Sequence, residues 1–237
     1  MKLSFLGHAS FLLETQGHRI LIDPFISPNE LAQKALSKNP DLAPLLDPSQ
    51  IQADHLLITH GHEDHVADAA PIARRNQATL VSSFEVVSWF GRQDIQGHPL
   101  NHGGKAEFPF GTVKYVNAIH SSVLPDGTYG GNPGGFVIWN EEGCCYIAGD
   151  TALTWDMKLI PMTCPKLDFA VLPIGDNFTM GYEDALLASD FIQCDRVVGC
   201  HYDTFPYIVL DREAASKAFK DKGKELLLPA IGETLDL

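Results

Sequence analysis

The stretch from Ile58 to Asp68, ITHGHEDHVAD, restricts this chain more than any other. Within it His60, His62, Asp64 and His65 form the pattern HxHxDH, directly after the apolar run Leu56, Leu57, Ile58. Burying three imidazoles and a carboxylate so close together is costly unless something cationic pairs with them. Neutral imidazole and carboxylate oxygen suit zinc, manganese, iron or nickel, so the loop reads as a transition-metal site. The bland alternative is a histidine-rich surface loop, which leaves the further candidate ligands downstream without a purpose. Beyond a strand, the alternate residues His60 and His62 can face one ion, while Asp64 and His65 lie further round the turn toward a second. Two ions about 3.5–4 Å apart need more ligands than these four, so other loops must supply them.

The strand pattern shows where those loops are. Leu3 to Leu6, Ser10 to Glu14 and Arg19 to Ile22 read as an opening meander, and Leu56 to Thr59 as the strand feeding the metal loop. Further strands are expected at Thr79 to Ser82, Asp94 to Pro99, Val113 to Ile119, Phe136 to Trp139, Cys144 to Ala148, Leu167 to Leu172, Arg196 to Cys200 and Glu225 to Leu228. Ser27-Pro28-Asn29-Glu30 has the form of a capping box that launches a helix to about Ser37. Asp68 is expected to cap a helix running to about Asn76, and Ser83 to Phe90, Tyr182 to Ile192 and the Asp211–Gly223 segment are the other helices. Alternation of strand and helix marks an α/β chain. The proline-rich remainder of residues 26–50 has no evident regular structure, and the segment is either a flap over a cleft or a solvated connection.

With 237 residues, 45% of them hydrophobic, one sizeable core and a single domain over residues 1–237 are expected. A formal charge of −13 disfavours extended contact with nucleic acid, though a small-molecule substrate is compatible with it. No apolar window has the form of a signal peptide or a membrane span, so a cytoplasmic protein is expected, with homo-oligomerisation left open. The five cysteines lack paired zinc spacing, and most read as buried small hydrophobes. Cys200 adjoins His201, but neighbouring strand residues face opposite ways. His98 and His102 lie in a turn-rich stretch and read as surface residues.

His60, His120, Asp150 and His201 each follow an apolar run, and separate strand ends can converge on one sheet edge. His60, His62 and His120 then hold one ion, Asp64, His65 and His201 a second, and Asp150 bridges them. Gly149 permits close backbone approach at the bridge. Asp23, at a strand end before Pro24, is either a surface turn residue or a carboxylate that orients a ligand imidazole.

HxHxDH, His120, Gly149-Asp150-Thr151 and His201 together resemble the metallo-β-lactamase superfamily. The blocks LGHASFLLE at 6–14, LIDP at 21–24, LPIGDNFTMG at 172–181 and HYDTFP at 201–206 resemble the prokaryotic metal-dependent hydrolases related to ascorbate-6-phosphate lactonases. The resemblance implies a four-layer αββα sandwich with a dinuclear site along its edge. Relatives with a diiron redox centre have glutamate where His62 stands, and β-lactamases of the commonest class have cysteine where Asp150 stands, so neither role is implied.

The chemistry expected is hydrolysis of a small ester, lactone or phosphodiester by a hydroxide bridging two divalent ions, zinc first, with manganese, nickel or iron as alternatives. Asp64 and Asp150 are the expected catalytic carboxylates, with Asp64 orienting the hydroxide. His8 is placed as a pocket-lining donor to the developing oxyanion, or else as a histidine bonded within a tight turn. Asn177 and Thr179 are candidate substrate contacts, Thr179 alternatively capping the next helix. A metal-dependent sensor without turnover is the competing class, and an enzyme of lipid-like phosphodiesters a weaker one.

Overall fold

The computed structural model describes residues 1–237. The first half of the chain builds one sheet from β1 (Lys2–Gly7), β2 (Ser10–Thr15), β3 (His18–Ile22), β4 (His55–Leu57), β5 (Thr79–Ser83) and β6 (Gly97–Leu100). The second half builds another from β7 (Lys105–Phe108), β8 (Gly111–Asn117), β9 (Gly134–Asn140), β10 (Gly143–Ile147), β11 (Phe169–Pro173), β12 (Arg196–Cys200) and β13 (Glu225–Leu227). A last strand, β14 (Thr234–Asp236), returns to the first sheet and pairs antiparallel with β1. The orders are β14-β1-β2-β3-β4-β5-β6 and β13-β12-β11-β10-β9-β8-β7.

Each sheet is half antiparallel meander and half parallel. Strands β3 to β6 are mutually parallel, as are β10 to β13. Strands that run the same way end on the same side, so Asp23, the metal loop, Asp150 and His201 emerge along one edge.

The side-chain alternation of a strand explains the stacking. In β3, Ile20 and Ile22 enter the core shared by the two sheets, whereas Leu21 faces an outer helical layer. In β11, Phe169 and Val171 enter the same core while Ala170 and Leu172 face the opposite outer layer. Runs that are apolar at every position are therefore buried on both faces. The helices α1 (Glu30–Lys38), α2 (Ala43–Leu46), α3 (Glu63–Val66), α4 (Ala69–Asn76), α5 (Phe84–Gly91), α6 (Ile160–Thr163), α7 (Tyr182–Phe191) and α8 (Arg212–Asp221) complete an αββα sandwich.

Several local expectations are corrected. Asn29, not Ser27, caps α1 by accepting from the Leu31 and Ala32 amides. Ser27 instead donates its hydroxyl to Asp68, and Asp68 accepts from the Ile26 and Ser27 amides at 2.7 and 2.8 Å. That use of its carboxylate leaves Asp68 making no side-chain cap on α4. The segment 26–50 is not a flap: Ile26, Ala32 and Leu46 are buried in the outer apolar layer, and α2 follows a short 3₁₀ turn at Pro40–Leu42. Strands β7 and β14 were not anticipated, because both are short edge strands with polar residues on one face. Strand β8 ends at Asn117, so His120 stands three residues beyond it on a loop. All five cysteines are free thiols. No helix is long and apolar enough to cross a membrane.

Candidate metal centre

At the shared edge the side chains of seven residues converge: His60, His62, Asp64, His65, His120, Asp150 and His201. Potential ligand atoms of His60, His62 and His120 lie within 4.8 Å of one another, as do those of His8, Asp64, His65 and His201, and those of His60, His65 and Asp150. Asp150 Oδ2 is central. It stands 3.1 Å from Nε2 of His201, 3.4 Å from that of His65, 3.5 Å from that of His120 and 4.0 Å from that of His60. Two donors each about 2.0–2.1 Å from a tetrahedral ion stand about 3.3 Å apart, so these separations suit shared coordination. His98 and His102 lie outside the cluster. His98 packs against Phe108, while His102 stacks on Tyr115 and reaches the Pro133 carbonyl.

Hydrogen bonds behind the cluster aim it. Asp23 accepts from the Thr59 amide and hydroxyl at 2.8 and 2.7 Å, and from His65 Nδ1 at 2.9 Å. Because the Thr59 hydroxyl is donated to Asp23, its oxygen can accept from His60 Nδ1 at 3.0 Å. One buried carboxylate thus fixes His65 directly and His60 through Thr59, leaving both Nε2 lone pairs for the cluster. Asp23 is thus buried against His65 and Thr59 and is not a surface turn residue. Thr59 was overlooked, although its place immediately before HxHxDH was a signal. His62 is held more loosely: Nδ1 stands 3.0 Å from His60 Nε2, and Nε2 stands 3.2 Å from Ser121 Oγ.

His8 is placed differently from the pocket wall expected of it. Its side chain is fully buried, with Nε2 3.0 Å from Asp64 Oδ2 and Nδ1 3.0 Å from Thr204 Oγ1. With both ring nitrogens engaged inside the protein, none faces a substrate oxygen. Asn177 and Phe178 are exposed on the loop after β11, and Thr179 bonds back to the Met180 carbonyl rather than capping α7, whose cap position is Gly181.

The backbone bends sharply to bring these groups together. His8, Asp23 and His201 all have left-handed φ, between 43° and 57°. Non-glycine residues adopt this region at a cost, and they collect at functional sites. Gly149 has φ +63°, and a Cβ there would stand 2.6 Å from Thr59 Cβ. Gly175 passes the His201 carbonyl so closely that a Cβ would lie 1.9 Å from its oxygen.

The electrostatics divide the imidazoles. Burial, aided by the neighbouring His65, pushes the His60 pKa well below its ordinary value. Burial opposes charge on His65 too, but Asp150, Asp23 and Asp64 outweigh it and hold its pKa well above the ordinary value. His201 is likewise pushed up to about 9: burial works against its charge, and Asp150 and Asp64 prevail. Asp64 and Asp150 are both held well below the usual carboxylate range by these histidines, against the effect of burial. Asp23 is shifted up, chiefly by burial. Burial and the adjacent His201 lower His8 to about 4, so its ring is neutral at pH 7 and can donate one N–H to Asp64. Without a metal, protons on His65 and His201 balance the buried carboxylates.

Divalent cations fit this donor set. His65 Nε2, Asp150 Oδ1 and both ring nitrogens of His201 are buried without a hydrogen-bond partner. Such groups cost roughly 1–3 kcal/mol each, which coordination would offset.

A family model described as the beta-lactamase superfamily domain matches residues 2–201. Among curated relatives, a UPF0173 metal-dependent hydrolase of Flavobacterium johnsoniae is 53% identical over the whole of both chains. The UPF0173 metal-dependent hydrolase YtkL of Bacillus subtilis is 38% identical, also end to end. Among solved structures, Igni18, a metallo hydrolase from the archaeon Ignicoccus hospitalis, superposes with TM-score 0.84 at 33% identity, covering 99% of this chain and 97% of its own. The chain belongs to the UPF0173 metal-dependent hydrolase family of the beta-lactamase superfamily. It is a metal-dependent hydrolase with the metallo-β-lactamase fold.

Proposed function

We propose that the enzyme uses two divalent ions, zinc foremost, to hydrolyse a small ester, lactone or phosphodiester. The observation that carries this reading is the position of Asp150 Oδ2, within 4.0 Å of four imidazole nitrogens drawn from both halves of the cluster. His60, His62 and His120 would hold one ion, Asp64, His65 and His201 the other, and Asp150 both. Such ions supply two things when bound: a water whose pKa falls from 15.7 to about 7, giving hydroxide at neutral pH, and polarisation of the substrate oxygen.

The chain's own residues do the rest. Asp23 and Thr59 keep Nδ1 of His65 and His60 protonated, so that these rings present only lone pairs to the centre. His8 is a positioning residue for Asp64 rather than an oxyanion donor. Asp64 keeps a quarter of its side chain exposed and is the carboxylate that faces the substrate space. It would orient the hydroxide as that oxygen bonds to carbonyl carbon or phosphorus, and would relay the hydroxide's remaining proton to the leaving oxygen as the ester bond breaks. The unpaired cysteines suit a reducing compartment such as the cytoplasm.

The test is metal analysis of reconstituted protein followed by turnover of p-nitrophenyl esters, lactones and bis-p-nitrophenyl phosphate. Two ions per chain and turnover of at least one class are expected. Two ions with saturable ligand binding but no hydrolysis across the panel would replace this reading with the sensor.

A further inference from the structure

A cleft of about 610 Å³ opens beside the candidate centre, with Asp64 in its wall. Its lining comes from loops at the same sheet edge as the cluster. Phe25 follows β3, Phe178 follows β11, Phe205 and Tyr207 follow β12, and Glu63 precedes Asp64 in the metal loop. Phe25 and Phe205 form a fixed floor, edge-on to the buried His8 ring at 5.5 and 5.2 Å between centroids. Phe178 and Tyr207 form the rim. They are 50% and 74% exposed, and their rings meet edge-on at 6.1 Å.

Large rings are left in water here although the loop that carries Tyr207 is anchored. Ile208 is fully buried, its amide bonds to the Phe205 carbonyl at 3.1 Å, and its carbonyl accepts from the Asp203 amide at 2.7 Å. Contiguous exposed aromatic surface at the mouth of a site marks a place where an apolar ligand is covered.

Charge narrows that ligand further. No lysine or arginine lines the cleft, its two carboxylates are those of Glu63 and Asp64, and the chain carries a formal charge of −13. A phosphate or carboxylate on this part of a substrate would meet the Glu63 carboxylate and no cationic side chain, Asp64 being engaged with the centre.

We infer that the cleft formed by Phe25, Phe178, Phe205 and Tyr207 beside Asp64 is the specificity subsite, and that it takes an alkyl or aromatic group, uncharged or cationic. This rests on the hydrolytic reading above. It separates this enzyme from a hydrolase of sugar phosphates, whose dianionic group finds no cation in this wall.

The experiment compares p-nitrophenyl acetate, butyrate and hexanoate with the mono-p-nitrophenyl ester of adipic acid, using metal-loaded wild type and the Phe178→Ala/Tyr207→Ala double variant. Each buried methylene contributes roughly fourfold, so kcat/KM for hexanoate should exceed that for acetate by at least about tenfold. The adipate monoester should lose most of that gain, and the double variant should flatten the series through KM. A second readout does not require turnover. N-phenyl-1-naphthylamine, neutral and apolar, should bind wild type with enhanced fluorescence and bind the double variant at least about tenfold more weakly. A flat chain-length series, equal turnover of the adipate monoester and hexanoate, or dye binding unchanged in the variant overturns the subsite. If no ester is hydrolysed but the variant loses the dye, the hydrolytic reading fails while the cleft keeps its apolar ligand.

Discussion

The two halves of the candidate centre are built differently. His65 and His201 are buried, and Asp23 bonds the former directly. His62 and His120 are half-buried, and beyond His60 within the cluster His62 reaches only the Ser121 hydroxyl of a loop. Each half has one imidazole fixed by the fold, His65 through Asp23 and His60 through Thr59, but only the half of His62 and His120 keeps two imidazoles on an open side. Rigid donors give affinity, whereas an open position admits water and substrate. The difference teaches that the buried half should bind its ion first and hold it longer, while the exposed half exchanges.

The strongest way to break this comparison is to remove the residue common to both halves. Asp150→Asn should abolish the second ion altogether and lower turnover by several kcal/mol of barrier, about 10³-fold or more. Metal analysis beside steady-state rates checks it, and retention of two ions would show that the halves are independent.

Next in size is the pH response of the metal-free protein. His201 is raised from 6.5 to about 9, so the folded state binds a proton there that the unfolded chain releases. The associated stability is complete below pH 6.5 and is lost as pH rises through about 9, on the order of 3 kcal/mol at 1.36 kcal/mol per pKa unit. Denaturant midpoints with chelator should fall over that interval, whereas the metal-loaded protein should not show the fall. A flat profile in chelator would mean that the buried half is not charged as described.

Asp23→Ala should weaken metal affinity by about 10–100-fold, because both His65 and His60 lose their orienting bonds. Thr59→Val removes the link to His60 and one bond to Asp23 but leaves the Asp23–His65 bond in place, so it should cost less, with most of its effect on one ion. Ser121→Ala, which touches only the loosely held His62, should change affinity by only about tenfold or less. Competition with a chromogenic chelator ranks the three, and an equal loss in all of them would erase the proposed asymmetry.

Much of the centre was legible because strand ends leave a signature: an apolar run followed by His60, Asp150 or His201. Asp23 could be flagged for the same reason, before Pro24. What the sequence could not show are contacts between distant segments. His8 is occupied by Asp64, 56 positions away, and Ser27 is drawn from its capping role by Asp68, 41 positions away. Local propensity competes with such bonds and loses. The aromatic rim has no local signature: Asn177 and Thr179 are the polar groups of that loop, while Phe178 between them lines the cleft. Left-handed turns at His8 and His201 carry no residue signature, since neither is glycine.

The return of β14 to the first sheet has a consequence for biosynthesis. Ser4 bonds through its hydroxyl to Thr234, 230 positions later, and Lys2 pairs with Asp236. A nascent chain therefore emerges with β1 as an open edge, free to accept a foreign strand, until the partner strand about 230 positions downstream has been made. The sheet that is begun first waits for a strand from beyond the whole second sheet to guard its edge.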